Sequence, residues 1–149
     1  MQLQPLYRAT FTTPERWAVE VAGTHGTEVQ DFLIAEGRTE GRLSARLRGS
    51  NYPRRRADGT LLPDFRGALD TDDGATILFS WHGYARPGAV DRMDRRQIVG
   101  SITHLTGNER YAWLNNAVCA MTGEVRPRDG GEGFEVLFDV AELIWEPLD

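Results

Sequence analysis

The sequence has no lysine, a single cysteine and no long apolar run. All seventeen of its basic residues are arginine, which excludes chemistry that needs a lysine Schiff base. The lone Cys119 cannot form an internal disulfide, and no apolar stretch approaches the roughly 20 residues that a membrane helix requires. The first residues, MQLQPLYRATF, lack the basic and then apolar design of a secretory signal. We therefore expect a cytoplasmic protein that does not enter membranes.

Residue spacings typical of metal and nucleotide sites are also missing. The three histidines, His25, His82 and His104, show no metal-ligand spacing with one another or with Cys119. No G-x-S-x-G or phosphate-loop motif occurs. We therefore predict no metal and no cofactor.

The charge balance argues against a nucleic-acid partner. A net charge of −5 and a pI near 5.2 oppose binding to a polyanion, because such binding depends on neutralising phosphates. The densest basic cluster, RRR at 54–56, comes directly before the turn signal ADGT, where arginines more often keep a loop tip soluble. We predict no nucleic-acid binding.

The length and the frequent turn signals predict one all-β domain over residues 1–149. One short helix is predicted over PGAVDRMDRRQ, residues 87–97, with Arg-Pro-Gly at 86–88 as the break from the preceding strand. Many strands joined by short turns favour an antiparallel barrel or sandwich, in which closure removes exposed edges. Strands are predicted over residues 5–12, 17–22, 30–36, 40–48, 60–71, 75–84, 98–105, 110–122 and 133–145.

The hairpin around the Asp-Gly dipeptide at 73–74 allows a prediction at residue level. This dipeptide suits a two-residue type I′ loop, which would place Arg66 opposite Trp81. One face would then carry Asp64 and Arg66 together with Phe79 and Trp81. If that face points inward, an acid and a base lie among aromatic residues. The alternative is that both charges lie at the rim or outside, in solvent.

The segment ERYAWLNNAV, residues 109–118, has strand composition and an unusual alternation. Tyr111, Trp113 and Asn115 would share one face of a strand. In one interpretation this face lines a ligand pocket, with Asn115 as its polar end. In the other, Trp113 fills the core and Asn115 bridges neighbouring backbone groups.

Several of these motifs, in this order, resemble a family of small uncharacterised barrel proteins, the domain of unknown function 3237. The similar features are the Asp-x-Arg strand at 64–66, the Thr-x-Asp-Gly-Ala hairpin at 71–75, Gly83 at the end of the next strand, and Tyr-x-Trp-Leu-Asn at 111–115. The resemblance implies a closed, lipocalin-like antiparallel barrel, similar to allene oxide cyclase and dirigent barrels, which bind apolar small molecules. It also implies that the face with Asp64 is the interior. Asn51 departs from the family pattern by placing an amide where relatives have an acid.

The motifs and the resemblance together predict a small apolar or aromatic ligand inside the barrel. We expect an isomerase, cyclase or hydro-lyase that works without a cofactor on a small aromatic or polyketide-like substrate. Asp64 would transfer the proton, and Arg66 would hold a carboxylate or stabilise an enolate. The alternatives are a non-catalytic carrier or sensor of an apolar molecule, and an interaction module whose pocket is filled by its own side chains. The oligomeric state is left as either a monomer or a homodimer. The predicted catalytic residues are Asp64, Arg66 and Tyr111, and the predicted substrate-binding residues are Asn115, Trp113, Trp81, Phe79 and Asn51.

Overall fold

The computed structural model describes residues 1–86 and 96–149, which fold almost entirely into antiparallel β-structure. A single short 3₁₀ helix, Glu109–Asn116, interrupts the strands. The predicted helix over 87–97 falls mostly outside the described residues, and its last two residues belong to a strand. The strands are β1 (Gln2–Gly23), β2 (Gly26–Gly41), β3 (Ala45–Asn51), β4 (Arg54–Arg55), β5 (Leu61–Leu62), β6 (Asp64–Thr71), β7 (Thr76–Arg86), β8 (Arg96–Leu105), β9 (Cys119–Pro127) and β10 (Phe134–Ile144).

Eight of these strands pair in chain order to form a barrel-like ring. The pairs run β1–β2, β2–β3, β3–β6, β6–β7, β7–β8, β8–β9 and β9–β10, and β10 pairs with β1. The two-residue strands β4 and β5 form a small hairpin that bridges β2 and β7 at one end of the ring. The predicted all-β antiparallel class is therefore confirmed.

The interior of the ring is aromatic. On β7, Phe79 and Trp81 point inward and are buried, and Ser80 between them points to the outer face. Phe65 contacts both, with ring centroids 5.1 Å from Phe79 and 5.7 Å from Trp81. Phe11 and Phe138 complete the cluster at centroid separations of 5.2 to 5.8 Å. Such tilted and edge-on pairs add about 0.5–1.5 kcal/mol each beyond the area that they bury.

The β6–β7 hairpin has a different register from the one predicted. Its loop has three residues, 72–74, because the Thr71 N–H donates to the Ala75 carbonyl at 2.8 Å and Gly74 takes a positive φ of 92°. As a result Phe65, not Arg66, lies opposite Trp81. Because side chains alternate along a strand, this one-residue difference turns every side chain of β6 to the other face.

A bulge in β1 sets the direction of the residues beyond it. Between Thr12 and Glu15 the chain advances three residues while its partner β2 advances two. Pro14 lies inside this bulge, where its missing N–H breaks no ladder hydrogen bond. The bulge brings Arg16 opposite Leu33, a partly buried residue on the inner face of β2.

The 3₁₀ helix covers the end of the ring remote from β4 and β5. Asn108 caps it, since its side-chain oxygen accepts the N–H of Arg110 at 3.0 Å, and Leu114 is its buried residue. The prediction of a continuous strand over 110–122 is therefore wrong for the first part of that segment, and the strand begins only at Cys119. Among the described residues, no helix combines the length and the apolar character needed to cross a membrane.

A buried polar pair lies in the interior near this covered end. The Tyr7 hydroxyl and His104 Nε2 share a hydrogen bond of 2.9 Å, and His104 is only 4% exposed. Burial lowers the pKa of His104 from 6.5 to about 4 and raises the pKa of Tyr7. The histidine is therefore neutral in the folded protein at neutral pH.

This pair predicts a loss of stability on mild acidification. Between pH 6.5 and pH 4 the unfolded chain binds a proton at His104 that the folded chain excludes, so the free energy of unfolding falls as the pH drops. From pH 7 to pH 5 the loss from this group is about 2 kcal/mol. Urea unfolding at both pH values measures it, with a His104→Gln variant as the control. Equal losses in the two proteins would contradict the assignment.

Candidate functional site

A cavity of about 390 Å³ opens at the end of the ring that the 3₁₀ helix leaves free. We call it the entrance cavity. Its wall is mostly apolar, with a few charged and polar side chains at one side, which is the composition typical of small-molecule sites. The lining residues include Phe11, Thr13, Arg16, Asp31, Leu33, Asn51, Arg55, Leu61, Trp81, Ala85, Arg96, Ile98 and Val136.

The β4–β5 hairpin forms one side of the entrance. Arg55 lies opposite Leu61, which in turn lies opposite Ala85 of β7. Gln30 attaches this hairpin to β2, because its side-chain amide donates to the carbonyl of Pro53 and to that of Asp31, both at 3.0 Å. The hairpin is thereby held across the gap between β2 and β7.

An acidic and a basic side chain form an ion pair at the cavity wall. Arg16 donates from Nε and Nη2 to Oδ1 of Asp31, at 3.0 and 2.8 Å. The Asp31 side chain is 14% exposed, whereas the Arg16 side chain is 61% exposed. The guanidinium therefore reaches toward solvent and holds the carboxylate in a fixed position inside the entrance.

Arg96 contributes a second guanidinium from β8. It is half-buried, and its Nη1 is enclosed without a hydrogen-bond partner among residues 1–86 and 96–149. Burial lowers the pKa of Arg96, and the nearby charges of Arg55 and Arg16 lower it further, while Asp31 opposes the shift. The group stays charged at neutral pH, because arginine does not lose its proton in proteins.

Trp81 forms the floor of the cavity. Its indole packs against Phe65 and Phe138 and takes the space beside Gly100, where an added Cβ would lie 2.6 Å from the indole nitrogen. That nitrogen is buried with no hydrogen-bond partner in the described part of the chain. A side chain at position 100 would therefore clash with the indole of Trp81 in its present position.

Two of the residues predicted to bind substrate do line the entrance cavity. Trp81 is one, and Asn51 is the other. The side-chain oxygen of Asn51 accepts the backbone N–H of Asp64 at 3.1 Å, which fixes the amide at the wall. Phe79 is buried in the interior, as predicted, but it packs behind Phe65 and is not part of the cavity lining.

The structure places Asp64 and Arg66 outside the ring, so the prediction that they point into it is wrong. Their side chains are 44% and 68% exposed and form an ion pair in which Arg66 Nε donates to Asp64 Oδ1 at 3.1 Å. The physical reason is the three-residue loop at 72–74, which shifts the register of β6 by one residue. The catalytic roles predicted for this pair depended on the interior position.

The second predicted group, on residues 111–115, lies at the opposite end of the ring. Tyr111 donates its hydroxyl hydrogen to Asp73 Oδ2 at 2.7 Å, and Trp113 is 38% exposed with the Arg42 guanidinium 4.7 Å above its ring. Asn115 is exposed, and its amide bonds the N–H and carbonyl of Thr106 at 2.8 and 2.9 Å. The prediction that these side chains share an interior face is wrong, because a 3₁₀ helix does not alternate as a strand does.

The charged residues of the cavity were missed, although the sequence carries a signal for two of them. Arg96 alternates in phase with Ile98 and Ile102, and Asp31 alternates in phase with Leu33 and Ala35. A charge in line with the buried face of a strand indicates an inward-pointing charge. Arg96 was assigned to the predicted helix and Arg55 to a loop tip, so neither residue was predicted to line a cavity.

The cavity offers acid–base and hydrogen-bonding groups rather than a metal-binding cluster. Within the described ranges, no group of three or more histidine, cysteine or acidic side chains is placed to hold a metal ion. Cys119 is buried elsewhere in the interior, and burial raises the pKa of its thiol to about 11. The thiol is thus not the nucleophilic thiolate at neutral pH.

Comparison with known sequences identifies a family without an assigned activity. A family model described as protein of unknown function (DUF3237) matches residues 1–143, which confirms the resemblance seen in the motifs. No curated protein matches the chain significantly.

Several solved structures share the fold. A β-barrel-like protein from Acinetobacter baumannii AYE has a TM-score of 0.75 and 24% identity, covering 95% of this chain and 94% of that one. A conserved protein of unknown function from Rhodopseudomonas palustris has a TM-score of 0.75 and 18% identity, covering 96% and 97%. An enzyme from Penicillium herquei has a TM-score of 0.63 and 21% identity, covering 93% of each chain. At these identities the likeness shows the fold alone.

Proposed function

The chain belongs to the DUF3237 family of proteins of unknown function, and from this premise we propose that its entrance cavity binds a small, largely apolar molecule and transforms it by proton transfer. The observation that carries the proposal is the cavity itself, about 390 Å³ with an apolar wall and an aspartate fixed within it. This volume lies at the lower end of the range typical of ligand pockets, about 300–1,000 Å³.

The wall supports an aromatic or polyketide-like ligand. Phe11, Trp81 and Ile98 offer flat or branched apolar surface, and apolar contact is the main source of affinity in such pockets. Thr13 and Asn51 add two neutral polar groups that can orient a hydroxyl or carbonyl. This supports the substrate class predicted from the sequence.

Asp31 replaces Asp64 as the proposed acid–base group. Its Oδ1 already accepts both hydrogen bonds from Arg16, which leaves Oδ2 as the oxygen that would take a proton from a ligand C–H or O–H. The electron pair released by that step would move onto a ligand oxygen and give an enolate or phenolate, and Asp31 Oδ2 would return the proton at another ligand atom to complete an isomerisation or cyclisation. The Penicillium herquei protein, an enzyme with the same fold, is consistent with catalysis on this scaffold.

The first test is binding of N-phenyl-1-naphthylamine, a neutral aromatic dye whose fluorescence rises in apolar surroundings. We expect saturable binding to one site, and thermal stabilisation equivalent to about 2.7 kcal/mol when the free dye is at 100 times its Kd. Fluorescence titration and thermal unfolding measure the two effects. Failure of the folded protein to bind the dye would count against the proposal, and binding without turnover of any ligand would favour a carrier or sensor.

A further inference from the structure

The described lining of the entrance cavity is positively charged, although the protein is acidic. Among residues 1–86 and 96–149, three arginines and one aspartate line the cavity, Arg16, Arg55, Arg96 and Asp31, so this part of the lining has a formal charge of +2. The whole chain carries a formal net charge of −5. Positive charge is therefore concentrated where the cavity opens, and a site of this kind attracts and orients anions.

Two of the three cationic side chains have no acidic partner in the described residues. Arg16 is neutralised by Asp31. Neither Arg55 nor Arg96 lies within ion-pair distance of a described carboxylate, whereas the neighbouring Arg56 pairs with Asp58. These two guanidiniums belong to β4 and β8, which are separated in sequence and brought to one entrance by the fold.

Of these two arginines, Arg96 gives the stronger indication of a bound anion, because it is half-buried. Its enclosed Nη1 has no partner among the described residues, and a buried charged donor without an acceptor is costly for the folded state. Arginine cannot relieve this cost by losing a proton. An anionic acceptor entering the cavity would supply the missing hydrogen bond and reduce the repulsion between Arg96 and Arg55.

We infer that the ligand of the entrance cavity carries an oxyanion, such as a carboxylate or phenolate, which Arg96 binds with support from Arg55. The apolar body of the ligand then lies against Trp81 and Ile98. The inference rests on the proposed function, because it names the chemical class of the molecule that the same cavity takes. That class is an aromatic or polyketide-like acid of small size.

The test uses two dyes that differ by one charged group. 1-Anilinonaphthalene-8-sulfonate has the ring system of N-phenyl-1-naphthylamine with an added sulfonate, which stays anionic at all working pH values. Both are titrated by fluorescence at low salt into the wild-type protein. Any signal that persists in a variant with a filled cavity, Ala85→Phe, is subtracted as binding outside the cavity.

We expect the anionic dye to bind about tenfold more tightly than the neutral dye. Arg96→Gln should weaken the anionic dye about tenfold or more and leave the neutral dye within about twofold. Arg96→Lys should retain most of the preference for the anion, because it keeps the charge. Arg54→Gln is the matched control, since Arg54 is an exposed neighbour of Arg55 that does not line the cavity, and it should change neither affinity.

The outcomes separate this inference from the proposed function. If both dyes bind equally and Arg96→Gln affects neither, the cavity binds ligands but does not select anions, and only the inference is overturned. If Arg96→Gln weakens both dyes equally, Arg96 is a structural residue, and the inference is again overturned. If neither dye binds to the folded wild-type protein, the proposed function itself is overturned, and with it the inference that rests on it.

Discussion

Replacing Asp31 by asparagine is expected to lower proton-abstraction activity in the entrance cavity about 100-fold or more. The amide has nearly the shape of the carboxylate but cannot accept a proton. The amide oxygen can still accept the hydrogen bonds of Arg16, and the Arg16 side chain is 61% exposed, so losing the ion pair costs little stability. A thermal unfolding midpoint within a few degrees of wild type would verify that the fold is retained.

Proton abstraction in the cavity can be measured with a generic substrate before the natural substrate is known. In 5-nitrobenzisoxazole a base removes the proton on carbon 3, the N–O bond breaks, and a coloured 2-cyano-4-nitrophenolate is released. We expect wild-type protein to accelerate this reaction and Asp31→Asn to lose the acceleration, with kcat/KM followed by absorbance. Asp31→Glu should retain part of it.

Asp64→Asn provides the matched control for this experiment. It makes the same chemical change on the outer face of the ring, where the side chain is 44% exposed and paired with Arg66. We expect its kcat/KM to stay within about twofold of wild type. If Asp64→Asn loses the activity while Asp31→Asn keeps it, the functional site lies on the outer face and the present assignment is wrong.

Filling the entrance cavity should weaken ligand binding at least about tenfold while leaving the fold intact. Ala85 lies on the cavity wall opposite Leu61, and its small side chain leaves space that a phenylalanine would occupy. Because the added ring enters empty volume rather than packed core, the expected cost is at or below the roughly 1–3 kcal/mol that overpacking usually brings. N-Phenyl-1-naphthylamine should then bind at least about tenfold more weakly, as measured by fluorescence titration.

The matching control places the same substitution at Ala68, which points to the outer face of β6. Ala68→Phe should leave dye affinity unchanged. Dye affinity that survives in Ala85→Phe would mean that the dye binds elsewhere. The exposed aromatic group of Trp17, Phe32 and Tyr52 would be the first surface to examine.

The sequence was sufficient to predict the fold class but not the direction of every strand. On β7 the face with Phe79 and Trp81, which the family resemblance placed in the interior, does point inward. On β6 the assignment of side chains to that face failed, because it depended on a two-residue loop where the chain forms a three-residue one. Since side chains alternate with a period of two, an error of one residue in the loop moved Asp64 and Arg66 from outside to inside.

The segment at 109–116 shows how tertiary contacts override strand propensity. Its aromatic residues favour a strand, but the cap by Asn108 and the bond from Tyr111 to Asp73 stabilise a 3₁₀ helix over the end of the ring. Leu114 then fills the interior beneath it. None of these three contacts is visible as a periodic pattern: the Asn108 cap is a local contact with Arg110, and the partner of Tyr111 is set by the fold of the hairpin at 71–75.

Some residues of the cavity could be predicted from the sequence, and others could not. Trp81 and Asn51 were identified from the motifs, and the inward phase of Asp31 and Arg96 was readable in their strands. The inward position of Arg16 was not, because it depends on the bulge at Pro14, which changes the phase of β1. The meeting of β4 and β8 at one entrance likewise follows from the ring and not from local sequence.

Binding in the entrance cavity is tested most directly by the indole N–H signals of the four tryptophans during titration with N-phenyl-1-naphthylamine. In a ¹⁵N-labelled sample, each signal is assigned by a single Trp→Phe variant. If the dye binds in the entrance cavity, the Trp81 signal shifts and saturates with the dye, while those of Trp113, at the covered end, and Trp17, on the exposed hairpin, stay in place. A shift of Trp113 or Trp17 with Trp81 unchanged would show that the entrance cavity is not the binding site.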